Sequence, residues 1–355
     1  MNWKLHHGDC LEVLPRFKAD HFHSCVTDPP YHFVSIIKRF GKQSSAPAKS
    51  NGKSGVYKRV SKGFLGNGWD GGSVAFQPET WKQVFRVLKP GAFLVAFGAP
   101  RNYHRLACAI EDAGFEIRDT LFWFFRTGFP KSYNTGQQIE KKVTTGLERR
   151  PNRKLDGKTV NRFSGHPFGE GAIGNTGGQI ELTTPEALEW KGWASALKPC
   201  YEPIILARKP LIGSIADNVL KYGTGSLNVD ACRLPDGSWP GTVLHDSCLR
   251  HFLEVKADKD ERIGSDHPTV KPLALMRWLV RLTTREGGKV LDPFAGTGIT
   301  AEAAHYEGSR CTLIEKERRY LIDIKRRMDL ISAGPFKRLD EINSLKPQDR
   351  GALFV

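Results

Sequence analysis

Asp28-Pro29-Pro30-Tyr31 sets a carboxylate, two prolines and a phenol side by side, after a run, His23-Ser24-Cys25-Val26, that reads as a short buried strand. Consecutive prolines fix φ at two positions and steer the residue before each away from helix. The segment can continue neither as helix nor as strand ladder, so it projects as a stiff elbow holding Asp28 and Tyr31 in a fixed relation. Such elbows at strand ends are where open α/β sheets carry their chemistry. Asp-Pro and Pro-Pro also mark ordinary turns, and the elbow alone does not decide between the two.

A second motif does. Lys289-Val290-Leu291 reads as a short strand, and Asp292-Pro293-Phe294-Ala295-Gly296-Thr297-Gly298 follows it, ahead of a helix. Strand, glycine turn and helix form a cradle in which Gly296 and Gly298 let backbone approach a ligand at a helix N-terminus. Glu315 closes the next strand, where an acid can accept from ribose hydroxyls. Two cofactor classes fit. Gly296-x-Gly298-x-x-Ala301 formally matches a dinucleotide fingerprint. Asp292, however, would repel a pyrophosphate and attract an aminoacyl ammonium, which S-adenosylmethionine carries together with a ribose for Glu315.

The elements that must position these residues alternate. Trp3–His7 reads as a strand, Cys10–Phe17 as a weak helix closed by Pro15, and Ser24–Val26 as the strand behind the elbow. Pro78–Lys89 reads as a helix stopped by Pro90-Gly91, Ala92–Phe97 as a buried strand, Arg101–Asp112 as a helix, and Phe115–Phe125 and Tyr201–Lys209 as strands. Leu273–Thr284 is a strong helix, Ala301–Tyr306 opens another, Cys311–Ile314 is a strand and Arg319–Leu330 a helix. From Arg126 to Pro199 the alternation stops in a Gly-, Asn- and Lys/Arg-rich stretch. Residues 210–265 show no assignable pattern.

The net charge of +15 is concentrated. Residues 38–68 hold eight Lys/Arg and no acid; residues 131–165 hold nine against three acids. Together they supply +14 of the net charge, the footprint of a polyanion, most often nucleic acid. Residues 38–68 read as a mobile basic loop beside the elbow, with Trp69-Asp70 as its anchor. No apolar run approaches a membrane span and no signal-peptide core opens the chain, so a cytoplasmic protein with no membrane partner is expected. The seven cysteines are scattered without a Cys-x-x-Cys pair, which fits reduced thiols. His245-x-x-Cys248-x-x-His251 has metal-like spacing but no evident fourth ligand, so no metal is expected. Pro199-Cys200 lacks the surroundings of a cysteine nucleophile.

Together the two motifs resemble the S-adenosylmethionine-dependent DNA amino-methyltransferases, with their D/N/S-P-P-Y/F/W and F-x-G-x-G motifs. With the catalytic motif first, the order is similar to the β-class of that family. His267-Pro268-Thr269-x-Lys271-Pro272, Gly8-Asp9-Cys10-Leu11 and Glu202-Pro203-Ile204-Ile205-Leu206 match further segments, and the wording of Gly128-Phe129-Pro130-Lys131-Ser132, Leu197-Lys198-Pro199, Gly223-Thr224-Gly225 and Asp230-Ala231-Cys232-Arg233 is similar to phage and prophage methylases. The matches cover residues 1–35, 75–130, 200–210 and 265–330.

The resemblance implies an α/β, Rossmann-like methyltransferase fold, circularly permuted, with a mixed seven-stranded sheet, helices on both faces and a loop-rich insertion. It implies transfer of a methyl group from S-adenosylmethionine to an exocyclic amine of a flipped-out base, adenine N6 favoured by Asp over Ser at the elbow, cytosine N4 the close alternative. Asp28 and the Pro29 carbonyl would accept the amine N–H groups, Pro30 would stiffen the elbow and Tyr31 would stack on the base. The cofactor set would be Asp9, Cys10, His267, Thr269, Lys271, Asp292, Phe294, Ala295, Gly296, Thr297, Gly298 and Glu315. Lys271 is expected toward the cofactor carboxylate rather than at a solvated helix start.

The partner is DNA, read as double-stranded, and a homodimer is compatible with the pattern. A nicotinamide oxidoreductase and a non-catalytic DNA-binding protein are the remote alternatives. The expected organisation is a catalytic half at 1–125, a basic insertion and candidate target-recognition region at 126–200, a late strand with irregular insertion at 201–265, a cofactor half at 266–330 and a tail at 331–355.

Overall fold

The structure, a computed structural model, describes residues 2–31, 73–125, 134–146, 181–197, 200–234, 236–244, 257, 259–265, 267 and 269–333. The basic loop at 38–68, Trp69-Asp70, Pro199, the His245–His251 spacing and all but the start of the tail lie outside them.

Continuously buried strands form the middle of the sheet. Strand β2 (Phe22–Thr27) is buried along its whole length, and β3 (Leu88–Phe97) along all but one residue. Strands buried on both faces read as unbroken hydrophobic stretches because helices cover them above and below. The others are β1 (Trp3–His7), β4 (Glu116–Phe124), β5 (Tyr201–Arg208), β6 (Val243–Leu244), β7 (Lys289–Asp292) and β8 (Arg310–Glu315). They assemble in the order β1-β8-β7-β2-β3-β5-β4-β6. The seven expected strands form the mixed sheet, and the two-residue β6 adds a short parallel edge beside β4. All neighbours are parallel except β5, which runs antiparallel between β3 and β4.

The permutation is visible in the pairing. β1 lies in parallel register with β8, Trp3 opposite Cys311 and His7 opposite Glu315. The N-terminal strand thus continues the sheet from the C-terminal half.

Helices α1 (Cys10–Val13), α2 (Pro78–Val87) and α3 (Tyr103–Asp112) cover one face. Their buried Val13, Trp81, Val84, Leu106 and Ile110 pack with Cys25, Leu94, Ile205, Leu291 and Ile314 of the sheet. In the 201–333 stretch, α6 (Ile215–Tyr222) follows β5, and α7 (Lys259–Arg262) precedes α8 (Leu273–Thr283), α9 (Ile299–Tyr306) and α10 (Arg318–Ser332). Helix α8 packs on β2 and β3, and α9 and α10 pack on β8. No helix of the described residues is long and apolar enough to cross a membrane.

Three local readings change. Cys10–Phe17 is a single α-turn followed by a 3₁₀ turn at Leu14–Arg16, because Pro15 cannot continue the α-ladder. Pro90-Gly91 does not separate helix from strand. β3 begins at Leu88, and between its pairings to Phe22 and Ser24 the register shifts around these two residues. Gly91 adopts φ +74° there, and a Cβ would collide with the Asn218 amide at 2.3 Å. Residues 210–222, without an assignable pattern, hold α6, opened by a capping box in which Ser214 and Asp217 satisfy each other's backbone N–H.

Residues 125–200 pack as a separate unit. Its helix α4 (Thr135–Thr145) is capped by Asn134 and ended by Gly146 in the left-handed region. Glu140 accepts from the backbone and hydroxyl groups of both Thr183 and Thr184, at the start of α5 (Pro185–Glu189). These donors, the Thr183 hydroxyl first, hold its carboxyl down at about 2.

The glycine turn after β7 rests on a buried ion pair. Arg327 of α10 meets Glu302 of α9 at 2.5 Å with both side chains inaccessible. Its Nε donates to the Thr297 carbonyl at 2.9 Å, and another nitrogen donates to the Glu261 carbonyl at 2.7 Å. Removing one partner of a buried pair typically costs about 3–5 kcal/mol. Arg327→Met is expected to lose that much in urea unfolding, with part recovered by Glu302→Gln in the same background. A loss below about 1 kcal/mol would show that the pair does not hold the turn.

Candidate active site

β7 and β2 are parallel neighbours in the middle of the sheet, and the crevice beyond the C-terminal ends of such strands is the place where open α/β sheets bind ligands. The C-terminal ends of β1, β8, β7, β2 and β3 and the start of antiparallel β5 all lie along this edge. They deliver Asp9, Glu315, Asp292, Asp28, Asn102 and Glu202 respectively.

On the elbow side, Asp28 Oδ2 accepts from Lys271 Nζ at 2.5 Å. Lys271 lies just ahead of α8, and its side chain is only 4% exposed. Its ammonium also lies 3.3 Å from Glu202 Oε2 and 3.2 Å from the Tyr31 hydroxyl, and 4.9 Å from the centre of the Phe97 ring. The Tyr31 hydroxyl donates to Glu202 Oε2 at 2.9 Å, and the Asn102 amide donates to the Tyr31 carbonyl. Asp28 Oδ1 is buried and has no hydrogen-bond partner among the described residues. Burial raises the Asp28 carboxyl above its ordinary value. Lys271 pulls it back, but Glu202 opposes that and the net shift is upward. Burial pushes the Tyr31 phenol well up, with Asp28 and Glu202 adding to it. Burial would neutralise Lys271, but its two carboxylates outweigh that and hold it charged.

On the glycine-turn side, Asp292 is buried and accepts from Thr27 Oγ1 at 2.7 Å, Thr300 Oγ1 at 2.6 Å and the Phe294 N–H at 3.1 Å. Burial outweighs these donors and lifts its carboxyl to about 6. Glu315 accepts from the N–H groups of Gly296 and Glu317, each at 2.7 Å, and burial lifts it to about 7. Asp9 caps α1 through the Leu11 N–H and takes Lys316 Nζ at 2.8 Å. Burial pushes Asp9 up, yet those two donors hold it below its ordinary value. Cys10 beside it is buried, and its thiol is pushed up to about 12. Gly296 and Gly298 have φ of +53° and +78°; a Cβ would press on His267 Nε2 at 3.2 Å and Ile324 at 3.1 Å respectively. Burial holds His267 neutral, at about 3. Its Nδ1 accepts from the Thr269 N–H at 3.3 Å. Ala295 donates its N–H to Ile314 on β8, and the partly buried Phe294 ring lies 6.4 Å from Trp81.

The sequence-derived residues therefore fall along one edge in two sets, joined by the Thr27–Asp292 bond. Lys271 belongs to the elbow set: it is not a solvated helix start, and its ammonium engages Asp28 and Glu202. Glu202 and Asn102 were not among the sequence-derived site residues. Glu202 left two traces, an acid opening an otherwise apolar strand and its place at the head of the Glu202–Leu206 segment that matches the family; Asn102 left none. Among the described residues no cluster of metal-ligating side chains occurs. The carboxylates of Asp9, Asp292 and Glu315 fit a ligand carrying an ammonium and ribose hydroxyls, and they disfavour a pyrophosphate.

The raised Asp292 value has a testable sign. Between about pH 4 and pH 6 the folded state retains a proton that the unfolded chain, near 3.8, has released. Stability from this group is thus full below about 4 and is lost as pH rises through 6. The melting temperature of Asp292→Asn minus that of the parent should grow more positive from pH 4 to pH 7 and then level off. A difference independent of pH would contradict the assignment.

Comparison with known proteins places this edge in context. The family model described as DNA methylase, N6_N4_Mtase, matches residues 22–326. The type II methyltransferase M.HindIII of Haemophilus influenzae is 27% identical over 321 residues, 84% of this chain and 86% of that protein. The type II methyltransferase M2.DpnII of Streptococcus pneumoniae is 37% identical over 71 residues, 20% of this chain and 26% of that protein. Among solved structures, the PvuII DNA methyltransferase (cytosine-N4-specific) superposes with a TM-score of 0.52 at 14% identity, covering 99% of this chain and 93% of that one, a likeness of fold. DNA methylases of this kind take their methyl group from S-adenosylmethionine, the donor expected from the two motifs. The chain belongs to the N6/N4 family of DNA methylases.

Proposed function

We propose that this protein methylates the exocyclic N6 of adenine in double-stranded DNA, on a base rotated out of the helix into the crevice beside Asp28. One observation carries the reading. On a stiff elbow at the switch point, the Asp28 carboxylate is anchored through one oxygen while the other is buried and has no partner among the described residues. A buried acceptor left unpaired is costly, and an amine N–H arriving from a base would satisfy it.

S-adenosylmethionine, when bound, supplies an electrophilic methyl on a sulfonium. Asp292, Glu315 and Asp9 would hold its ammonium, ribose and adenine ends along the β7, β8 and β1 termini. His267 and Ile324 brace the glycine turn from behind. An exocyclic amine is a poor nucleophile because its lone pair is delocalised into the ring. Asp28 and the Pro29 carbonyl would accept its two N–H groups, favour a pyramidal nitrogen and stabilise the charge that develops. Holding that nitrogen in line with the methyl supplies much of the rest. Tyr31 would stack on the base. Extruding the base costs a few kcal/mol. The basic segments at 38–68 and 131–165 would offset part of this through phosphate contacts, with the 126–200 insert, together with residues 210–265, as the region that selects the target site.

Adenine is preferred over cytosine on the aspartate at the first elbow position. Both bases present an amine beside a ring nitrogen acceptor, so the product must be read directly. Duplex DNA incubated with methyl-labelled S-adenosylmethionine, digested and separated by nucleoside, should carry label in N6-methyldeoxyadenosine. Label in N4-methyldeoxycytidine would overturn the choice of base, and no label in DNA would overturn the activity. Asp28→Ala should lower incorporation by roughly 100-fold or more while DNA is still retained on a filter; unchanged incorporation would contradict the role of Asp28.

A further inference from the structure

The proposed role of Asp28 leaves unexplained why a lysine and a second carboxylate, from segments far apart in the chain, converge behind it. Lys271 Nζ sits 2.5 Å from Asp28 Oδ2 and 3.3 Å from Glu202 Oε2. Glu202 Oε2 in turn accepts from the Tyr31 hydroxyl at 2.9 Å. One ammonium thus serves two carboxylates, and the set carries a net negative charge before substrate arrives.

Resting on the methylation reading above, we propose that Lys271 and Glu202 are positioning residues that ready Asp28 to take the proton released by the substrate amine, Lys271 anchoring its Oδ2 and Glu202 remaining as the counter-charge of Lys271 once Asp28 is neutral. The amine nitrogen forms the N–CH3 bond with its lone pair. The methyl C–S bond breaks, and its electron pair stays on sulfur, turning sulfonium into thioether. An N–H proton of the resulting cation passes to Asp28 Oδ1, and that bonding pair returns to nitrogen. Asp28 ends as a neutral acid, and Lys271 and Glu202 are left as a balanced pair, with no uncompensated charge buried in the set. Asp28 then loses its proton to solvent.

The geometry fits each part. Oδ1 is the oxygen without a partner among the described residues. Lys271, nearly inaccessible, cannot exchange its carboxylates for water. The Tyr31 hydroxyl, donating to Glu202, keeps that carboxylate beside the ammonium. Among the described residues, the ionisable groups facing Asp28 are Lys271 from the segment before α8, Glu202 from β5, Tyr31 from its own elbow and Asp292 from β7. Glu202 raises the Asp28 carboxyl and Lys271 lowers it, so the two residues should move its titration in opposite senses.

The test is the pH dependence of single-turnover methylation, with enzyme in excess over a duplex and methyl-labelled S-adenosylmethionine. The readout is the acid limb, where rate is lost as Asp28 protonates. Glu202→Gln, which keeps an acceptor for Tyr31, should shift that limb to lower pH by roughly one unit. Lys271→Met should shift it to higher pH by about 1–3 units, and Lys271→Arg should return it toward the parent. All three variants should keep the parent's circular dichroism spectrum and a cooperative thermal unfolding transition, which shows that they fold. Limbs that stay in place, or move in the same sense in Glu202→Gln and Lys271→Met, would overturn the proposal while parental methylation stands. A parent that transfers no methyl group to DNA would instead overturn the reading it rests on.

Discussion

A lysine ammonium can be buried only where counter-charge surrounds it, and that requirement organises the active edge of this protein. Lys271 is held by Asp28 and Glu202, with the Tyr31 hydroxyl and the Phe97 ring closing the remaining sides. The contacts draw together the elbow after β2, the end of β3, the start of β5 and the segment leading into α8. Without Lys271, two carboxylates would face each other in a partly dehydrated crevice. Without either carboxylate, the ammonium would lose much of what keeps it charged. The stiffness given to the elbow by Pro29 and Pro30 would be of little use if Asp28 could rotate; Lys271 fixes the rotation, and Asn102 fixes the elbow at Tyr31.

The neighbouring glycine turn solves the opposite problem. Asp292 and Glu315 are buried and form no ion pair among the described residues; hydroxyls and backbone N–H groups bear the charge instead. Those donors do not fully offset burial, which is why both carboxyls sit high, at about 6 and about 7. A cationic ligand would relieve that strain. The crevice therefore has one half whose charge is matched internally and another that is left short of positive charge. Thr27, one residue before Asp28, bonds to Asp292 and ties the two halves together.

Much of this was legible in the chain because it is local. The elbow, the glycine turn and the acid after β8 each announce themselves within a few residues. β3 and β5 show as apolar runs, β2 as the short stretch before the elbow, and α2 as an apolar stripe opened by proline. What escaped is tertiary. Nothing near Lys271 points to Asp28, 243 positions away, and nothing near Glu202 points to Tyr31, 171 positions away. Asn102 serves only through a backbone carbonyl brought close by folding. Pro90-Gly91 has the composition of a helix stop, but the register of β3 on β2 absorbs it. Helix α4 shows only Ile139 and Val143 as a stripe, and is secured by Glu140 on Thr183 and Thr184 instead. The Ser214–Asp217 capping box that opens α6 was readable, but the weak stripe behind it hid the signal.

The central claim is that Asp28 meets the substrate amine with one oxygen while Lys271 holds the other. A structure of the protein with duplex DNA containing its target site, and with an S-adenosylmethionine analogue whose methyl cannot be transferred, tests it most directly. The account predicts an extrahelical adenine with N6 about 2.6–3.2 Å from Asp28 Oδ1 and Lys271 still on Oδ2. A flipped base whose amine is held by other groups, with Asp28 turned away from it, would contradict the account.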